Sequence, residues 1–278
     1  MSRRRAGQGL LVADLADVPE PPVEEVVKRA PWWLELIIIA GAYWIYSWIS
    51  DHAPRGAALH NGRQILSFER ALRIDVEHSL NHWWVSGGHG VIVGGNLYYD
   101  LMHFIVPVGT LLWVYFFRHR IYLRVRTPLL IVSLLALAVF WLWPTAPPRL
   151  IPELDLYDTI ARVHTLGGGG SHGMTAAENP FAALPSLHVA WATWSAYAVW
   201  CGTRSRVWRG LLVANVCVMA FLVVATGNHW VSDVLAGSSG VALSVLLAWL
   251  GRTAWRSTRG QPVSADRADP ASIVDARR

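Results

Sequence analysis

The sequence predicts an all-α fold, a polytopic membrane bundle of six transmembrane helices with an amphipathic helix on its outer face. Three observations predict it. Of the 278 residues, 53% are hydrophobic and only 15% are charged, whereas soluble domains carry roughly 25% charged residues. The apolar residues gather in runs near the ~20 residues a helix needs to cross a hydrocarbon core. The basic residues fall in short blocks between those runs, the pattern that sets orientation in a membrane.

Taken in order, residues 1–30 are polar and contain several prolines, and they read as a disordered tail. Arg3, Arg4 and Arg5 resemble the basic start of a signal peptide. Asp14, Asp17 and Glu20 follow them in place of an apolar stretch, so the first apolar run is expected to be an uncleaved anchor. Spans are expected at about 32–50, 90–117, 125–143, 186–202, 208–227 and 230–250. They form one domain over 31–251, and 252–278 is read as a second disordered tail. The last two spans nearly touch, which requires a tight turn around Gly227 and Asn228.

Residues 59–80 have a different pattern. Ile65, Phe68, Leu72, Val76 and Leu80 recur at steps of three and four. Arg63, Glu69, Arg70, Arg73 and Glu77 occupy the other faces, which predicts an amphipathic helix lying on the outer surface. Tryptophan is abundant, with 16 in the chain. Trp32, Trp33, Trp83, Trp84, Trp141, Trp143 and Trp230 all fall near span ends, where such rings anchor at the headgroups. Ala236 and Gly240 form a small-xxx-small pair suited to close helix packing.

With the N-terminus cytoplasmic, all but six of the 24 basic residues fall on the cytoplasmic side; the six are Arg55, Arg63, Arg70, Arg73, Arg149 and Arg162. This bias predicts a multi-pass protein of the cell membrane with both termini cytoplasmic. It also accounts for the net charge of +5 without nucleic acid as a partner. The two cysteines, Cys201 and Cys217, read as packing residues and offer neither a disulfide framework nor a Cys-based zinc site.

The same parity brings three polar clusters to one extracytoplasmic face. The third span ends in Pro144-Thr145-Ala146-Pro147-Pro148-Arg149. The fourth starts with Leu184-Pro185-Ser186-Leu187-His188, and the sixth with Gly227-Asn228-His229-Trp230-Val231-Ser232-Asp233. Two of the clusters begin helices, whose unpaired N–H groups and positive dipole ends suit a phosphate. His229 and Asp233 are spaced i, i+4 and share a helix face. A carboxylate on one ring nitrogen frees the other to attack, as a histidine nucleophile requires. His188 is then the available proton donor for the leaving group. Ser186 is placed either to cap its helix or to hold a phosphate oxygen. Arg149 suits a phosphate or a lipid headgroup. In the second span, Asn96, Asp100 and His103 form a polar stripe that either lines a headgroup pocket or joins helices. Gly167–Gly170 lie in the long outer loop without the strand–turn–helix context of a nucleotide site, and read as a lid or linker.

The Pro-Ser-Leu-His and His-x-x-x-Asp motifs together resemble the type-2 phosphatidic acid phosphatase superfamily over roughly residues 60–250. The superfamily's patterns are Lys-x6-Arg-Pro, Pro-Ser-Gly-His and Ser-Arg-x5-His-x3-Asp. Here Leu142 stands at the first motif's Lys, Leu187 at the Gly and Val223 at the third motif's Arg. Pro-Ser-Leu-His, Gly-Asn-His and Ala146-Pro147-Pro148-Arg149 resemble the inositol-phosphorylceramide synthase branch, an inositolphosphotransferase group. The resemblance implies a six-span, metal-independent enzyme working through a phosphohistidine. It implies His229 as nucleophile, Asp233 as its orienting partner and His188 as general acid. Arg149 and Ser186 would be phosphate ligands, joined by Leu187 and Asn228 of the same motifs. A loose Asn-x-x-Tyr-x-x-x-His match adds Tyr99 to Asn96, Asp100 and His103 in a headgroup pocket.

The expected activity is a lipid phosphatase or phosphotransferase, with water or an alcohol such as inositol as acceptor and no metal or other cofactor. Two rivals stand beside it. One is a metalloenzyme built on His188, His229 and Asp233 with His172 recruited. The other is a non-catalytic lipid transporter or scaffold, although the internal repeats of many transporters are not visible here.

Overall fold

The computed structural model describes residues 31–52, 55–163 and 180–258, and every regular element among them is helical. The two expected tails up to residue 30 and from 259, together with Gly167–Gly170 and His172, lie outside the described residues. The helices are α1 (Trp32–His52), α2 (Arg55–Leu72), α3 (Glu77–Ser86), α4 (His89–Phe117), α5 (Tyr122–Leu142), the single turn α6 (Thr159–Arg162), α7 (Leu187–Gly202), α8 (Arg206–Ala225) and α9 (Val231–Thr258). α9 continues past the boundary expected at 251.

Five of these helices, α1, α4, α5, α8 and α9, are long and apolar enough to cross a membrane. Their outward faces carry residues such as Phe117, Leu142 and Val207, as suits lipid contact. α7, expected as the fourth span, is different. Its 16 residues give about 24 Å of helix at 1.5 Å per residue, short of a ~30 Å hydrocarbon core. It occupies the centre of the bundle and packs on α4, α5, α8 and α9. Ala190, Trp194 and Ala198 are fully buried there, and Trp194 Nε1 donates to the Val125 carbonyl of α5 at 2.7 Å. α9 approaches α7 closely at Gly237, where a Cβ would lie 2.5 Å from the Ser186 carbonyl oxygen. Gly240 meets α5 instead, with Val132 Cγ2 3.4 Å from where its Cβ would be.

The surface segment is two helices, and it meets the bundle through a face of mixed polarity. α2 ends at a left-handed Arg73 (φ 58°), with the Ile74 N–H returning to the Glu69 carbonyl at 3.0 Å. Along the apolar stripe, Ile65 is buried and Leu80 partly so, while Phe68 is 55% exposed and Leu72 and Val76 are exposed as well. The face turned inward carries Ala58, Asn61, Ile65, Glu69, Glu77 and Asn81, all buried. Apolar side chains lose nothing by facing lipid, whereas buried polar groups persist where partners meet them. Asn61 Nδ2 donates to the Pro144 carbonyl at 2.8 Å. Asn81 Nδ2 donates to the Ala225 carbonyl at 2.8 Å, and Asn81 Oδ1 accepts from the Tyr157 N–H at 2.9 Å.

Two of the seven expected interfacial tryptophans are also core residues. Trp84 is buried against α4 and α8 and leaves no room for a Cβ at Gly95. Trp230 is fully buried and packs with Ala58, Ile65, Ala146 and Ile151.

Candidate active site

The three polar clusters meet at one end of the bundle, joined largely by backbone. After α5, the Thr145 N–H donates to the Phe181 carbonyl at 2.7 Å and the Ala183 N–H to the Thr145 carbonyl at 3.2 Å. The stretch leading into α7 is thereby fixed on the stretch leaving α5. The Ala146 N–H is held by the Ala58 carbonyl of α2 at 3.0 Å. The third cluster joins through Trp230, whose Nε1 donates to the Ala146 carbonyl at 3.0 Å, and through Gly227, whose carbonyl accepts from the Arg149 N–H at 3.0 Å.

The turn between α8 and α9 falls where the sequence places it. Gly227 is left-handed (φ 72°), a conformation only glycine adopts without cost. The N–H groups of Asn228 and His229 both return to the Val223 carbonyl at 3.0 Å, which brings His229 to the mouth of α9. There its Nδ1 lies 2.8 Å from the Ala183 carbonyl oxygen and 3.3 Å from Asp233 Oδ2. Both partners are acceptors, so Nδ1 carries the proton and Nε2 is the ring's lone-pair nitrogen. The Ala183 carbonyl was not anticipated, because a backbone acceptor leaves no signature in residue type.

His188 sits at the start of α7, edge-on to His229 with ring centroids 5.5 Å apart. Its own ring is packed against Tyr99 at 4.3 Å and His103 at 3.8 Å. His103 in turn stacks on Trp191 at 4.8 Å with the planes 3° apart. Tyr99, Asp100 and His103 are buried on α4, and Tyr99 and His103 bring that helix against His188. Asn96 is buried one turn nearer the start of α4 and donates to the Thr159 carbonyl of α6 at 3.0 Å; it supports the outer loop.

The residues expected to hold phosphate divide. Ser186 caps α7 by accepting from the Val189 N–H at 3.4 Å; its own hydroxyl hydrogen is not used in that bond. The Leu187 side chain packs toward α5 with Phe140 and Ala136, so only its backbone is available to a ligand at the mouth of α7. Asn228 is buried and its amide donates to Thr226 Oγ1 at 2.8 Å. Arg149 is paired with Asp158 at 3.5 Å. Leu142 is 78% exposed on the outer surface of the bundle and Val223 is fully buried beside Tyr99, Val189 and Met219, so neither points a side chain at the histidines.

The start of α9 corrects a further expectation. Its first N–H groups are not open to an anion, because three carboxylates already occupy them. Asp233 Oδ2 accepts from Trp230 N–H at 2.9 Å, Glu77 Oε1 from Val231 N–H at 3.0 Å, and Glu69 Oε1 from Ser232 N–H at 2.6 Å. The positive end of the helix is satisfied from within. The sequence signal for Glu69 was the stripe Ala58, Asn61, Ile65, Glu69 at helical spacing, a second face of the same helix.

No group of three or more His, Cys, Asp or Glu side chains among the described residues is arranged to hold a metal ion, and Asp233 lies behind His229 rather than beside it as a co-ligand. No curated protein and no solved structure matches the chain. A family profile described as the PAP2 superfamily matches residues 63–248, a stretch that begins within α2, ends within α9 and contains both histidine motifs. Helical membrane architecture, the two motifs at one end of the bundle and this match lead to one conclusion: the chain belongs to the PAP2 superfamily.

Proposed function

We propose that this protein is a metal-independent lipid phosphatase or phosphotransferase that works through a phosphohistidine on His229, at the extracytoplasmic face of the cell membrane with both termini in the cytoplasm. The observation that carries the reading is the double restraint on His229 Nδ1 by Ala183 and Asp233. It fixes the tautomer that leaves Nε2 as the nucleophilic atom.

Nε2 attacks phosphorus in line with the lipid oxygen. The N–P bond forms, the P–O bond breaks, and the departing oxygen takes a proton from His188. In the second half, the O–H of water or of an alcohol gives its proton to His188 as its oxygen attacks phosphorus. The N–P bond then breaks and both histidines return to their starting states. Arg149, the Ser186 hydroxyl, the Leu187 backbone and Asn228 are the groups at the mouth suited to the phosphate oxygens. Tyr99, Asp100 and His103, with Asn96 behind them, form the wall suited to a polar headgroup. Inositol is the alcohol acceptor that the Pro-Ser-Leu-His and Gly-Asn-His motifs favour, by their likeness to the inositolphosphotransferase branch.

The test is phosphate release from a panel of lipid phosphates with chelator present, repeated with inositol and phosphatidylinositol as acceptor and donor. Turnover by the wild type and none by His229→Ala supports the reading. Equal turnover by both proteins removes it, and loss of turnover on chelation favours the metal reading.

A further inference from the structure

The carboxylates of Glu69 and Glu77 are both buried, Glu69 with no exposed surface at all. They come from different helices, α2 and α3, and converge on consecutive N–H groups of α9. Each spends its Oε1 on that N–H. Each Oε2 is buried with no donor of its own, and the two side chains are within hydrogen-bonding reach of one another. Two acceptor atoms with no donor between them are costly in a buried site. One proton placed between the two Oε2 atoms satisfies both at once and removes the repulsion of adjacent negative charges.

We propose that Glu69 and Glu77 share a single proton and act together as positioning residues, holding the first turn of α9 so that His229 and Asp233 keep their reactive geometry. The proposal rests on the reading of His229 as nucleophile, but the proton-sharing half of it can be tested without turnover. Burial, the hydrogen bond to Glu69 and the Glu69 charge together push the Glu77 carboxyl up to about 8, as a retained proton requires. Glu69 acts on Glu77 from α2, and Asp233 on α9 interacts with Glu69 from the other side. Loss of the shared proton would leave two carboxylate charges side by side.

The amide of glutamine discriminates this arrangement from simple capping. In Glu77→Gln or Glu69→Gln, one N–H of the new amide stands where the shared proton stood and donates to the remaining carboxylate. In the double variant, two amino groups face each other and repel. Each single variant should therefore keep kcat within about threefold of wild type, while the double variant loses about 100-fold. The wild type should lose kcat as pH rises through about 8, and either single variant should lack this fall. Independently of turnover, infrared difference spectra taken across pH 8 should show a protonated-carboxyl C=O band in the wild type that is absent from Glu77→Gln.

Single losses that simply add in the double variant, with the alkaline limb in place, would overturn the proposal, as would an unchanged infrared band. If no lipid is turned over by the wild type, the reading of His229 fails. The infrared band and the unfolding temperatures of the three variants then still decide whether the proton is shared.

Discussion

The His229 ring is held more closely by Ala183 than by Asp233, with Nδ1 2.8 Å from the carbonyl oxygen and 3.3 Å from the carboxylate. Tautomer control is therefore divided between a side chain and a backbone group. Asp233 also has a second duty, accepting from the Trp230 N–H at 2.9 Å.

That division predicts a graded response at residue 233. Asp233→Asn should lower kcat by about 10- to 100-fold, less than the complete loss in His229→Ala, because Ala183 still holds Nδ1–H. Asp233→Ala also removes an acceptor at the start of α9 and should cost about 1 kcal/mol of stability. Steady-state kinetics and thermal unfolding in detergent separate the two effects. An Asp233→Asn protein as inactive as His229→Ala would mean that the carbonyl contributes nothing.

Close approach of α9 to α7 predicts a sharp contrast between two glycines. A Cβ at Gly237 would lie 2.5 Å from the Ser186 carbonyl oxygen and 3.4 Å from the Ala190 nitrogen, both backbone atoms that cannot move aside. Gly237→Ala should destabilise by about 1–3 kcal/mol and displace the start of α7. Gly240→Ala meets only the Val132 side chain at 3.4 Å and should unfold at nearly the wild-type temperature. Equal melting temperatures for the two variants would contradict the packing described.

Trp230→Phe tests the join between the first and third clusters. Phenylalanine fills most of the buried space but leaves the Ala146 carbonyl without the donor it has at 3.0 Å. A loss of about 1–3 kcal/mol is expected for an orphaned buried acceptor. A melting temperature equal to that of the wild type would show that water or another donor replaces the indole.

The Glu77 carboxyl predicts how stability changes with pH. Its folded value is raised from 4.5 to about 8, so the native state keeps a proton that the unfolded chain has released. Its stabilising contribution is full below pH 4.5, falls as pH rises toward 8 and is flat above it. Unfolding temperature measured against pH should show this decline in the wild type and a smaller one in Glu77→Gln. A profile of identical slope in both proteins would refute the assignment.

The parts of this architecture visible in the sequence are those with a local cause. Long apolar runs announce α1, α4, α5, α8 and α9 because lipid selects for them residue by residue. The turn at Gly227 and the pairing of His229 with Asp233 follow from spacing within a few residues. What was not visible depends on distant partners. The apolar run at 186–202 announces α7, but its place at the centre of the bundle comes from the helices packed around it. The polar contacts on the inward face of α2 are not legible because Glu69 looks solvent-seeking until Ser232, 163 residues away, supplies its donor. Trp230 resembles an interfacial anchor until the Ala146 carbonyl is known to receive its N–H.

The carboxylates at the mouth of α9 also bear on how the chain assembles. Partners separated by 154 and 163 positions cannot meet until nearly all of the protein has been synthesised. Before α9 arrives, Glu69 and Glu77 lack the N–H groups that satisfy them and remain hydrated at the membrane surface. Insertion of the last helix then withdraws them from water and closes the early outer layer over the late turn that carries His229. A nascent chain halted before α9 would thus lack Asp233, the partner of His229, and also the seal on its own first third, which makes completion of the bundle and completion of the site a single event.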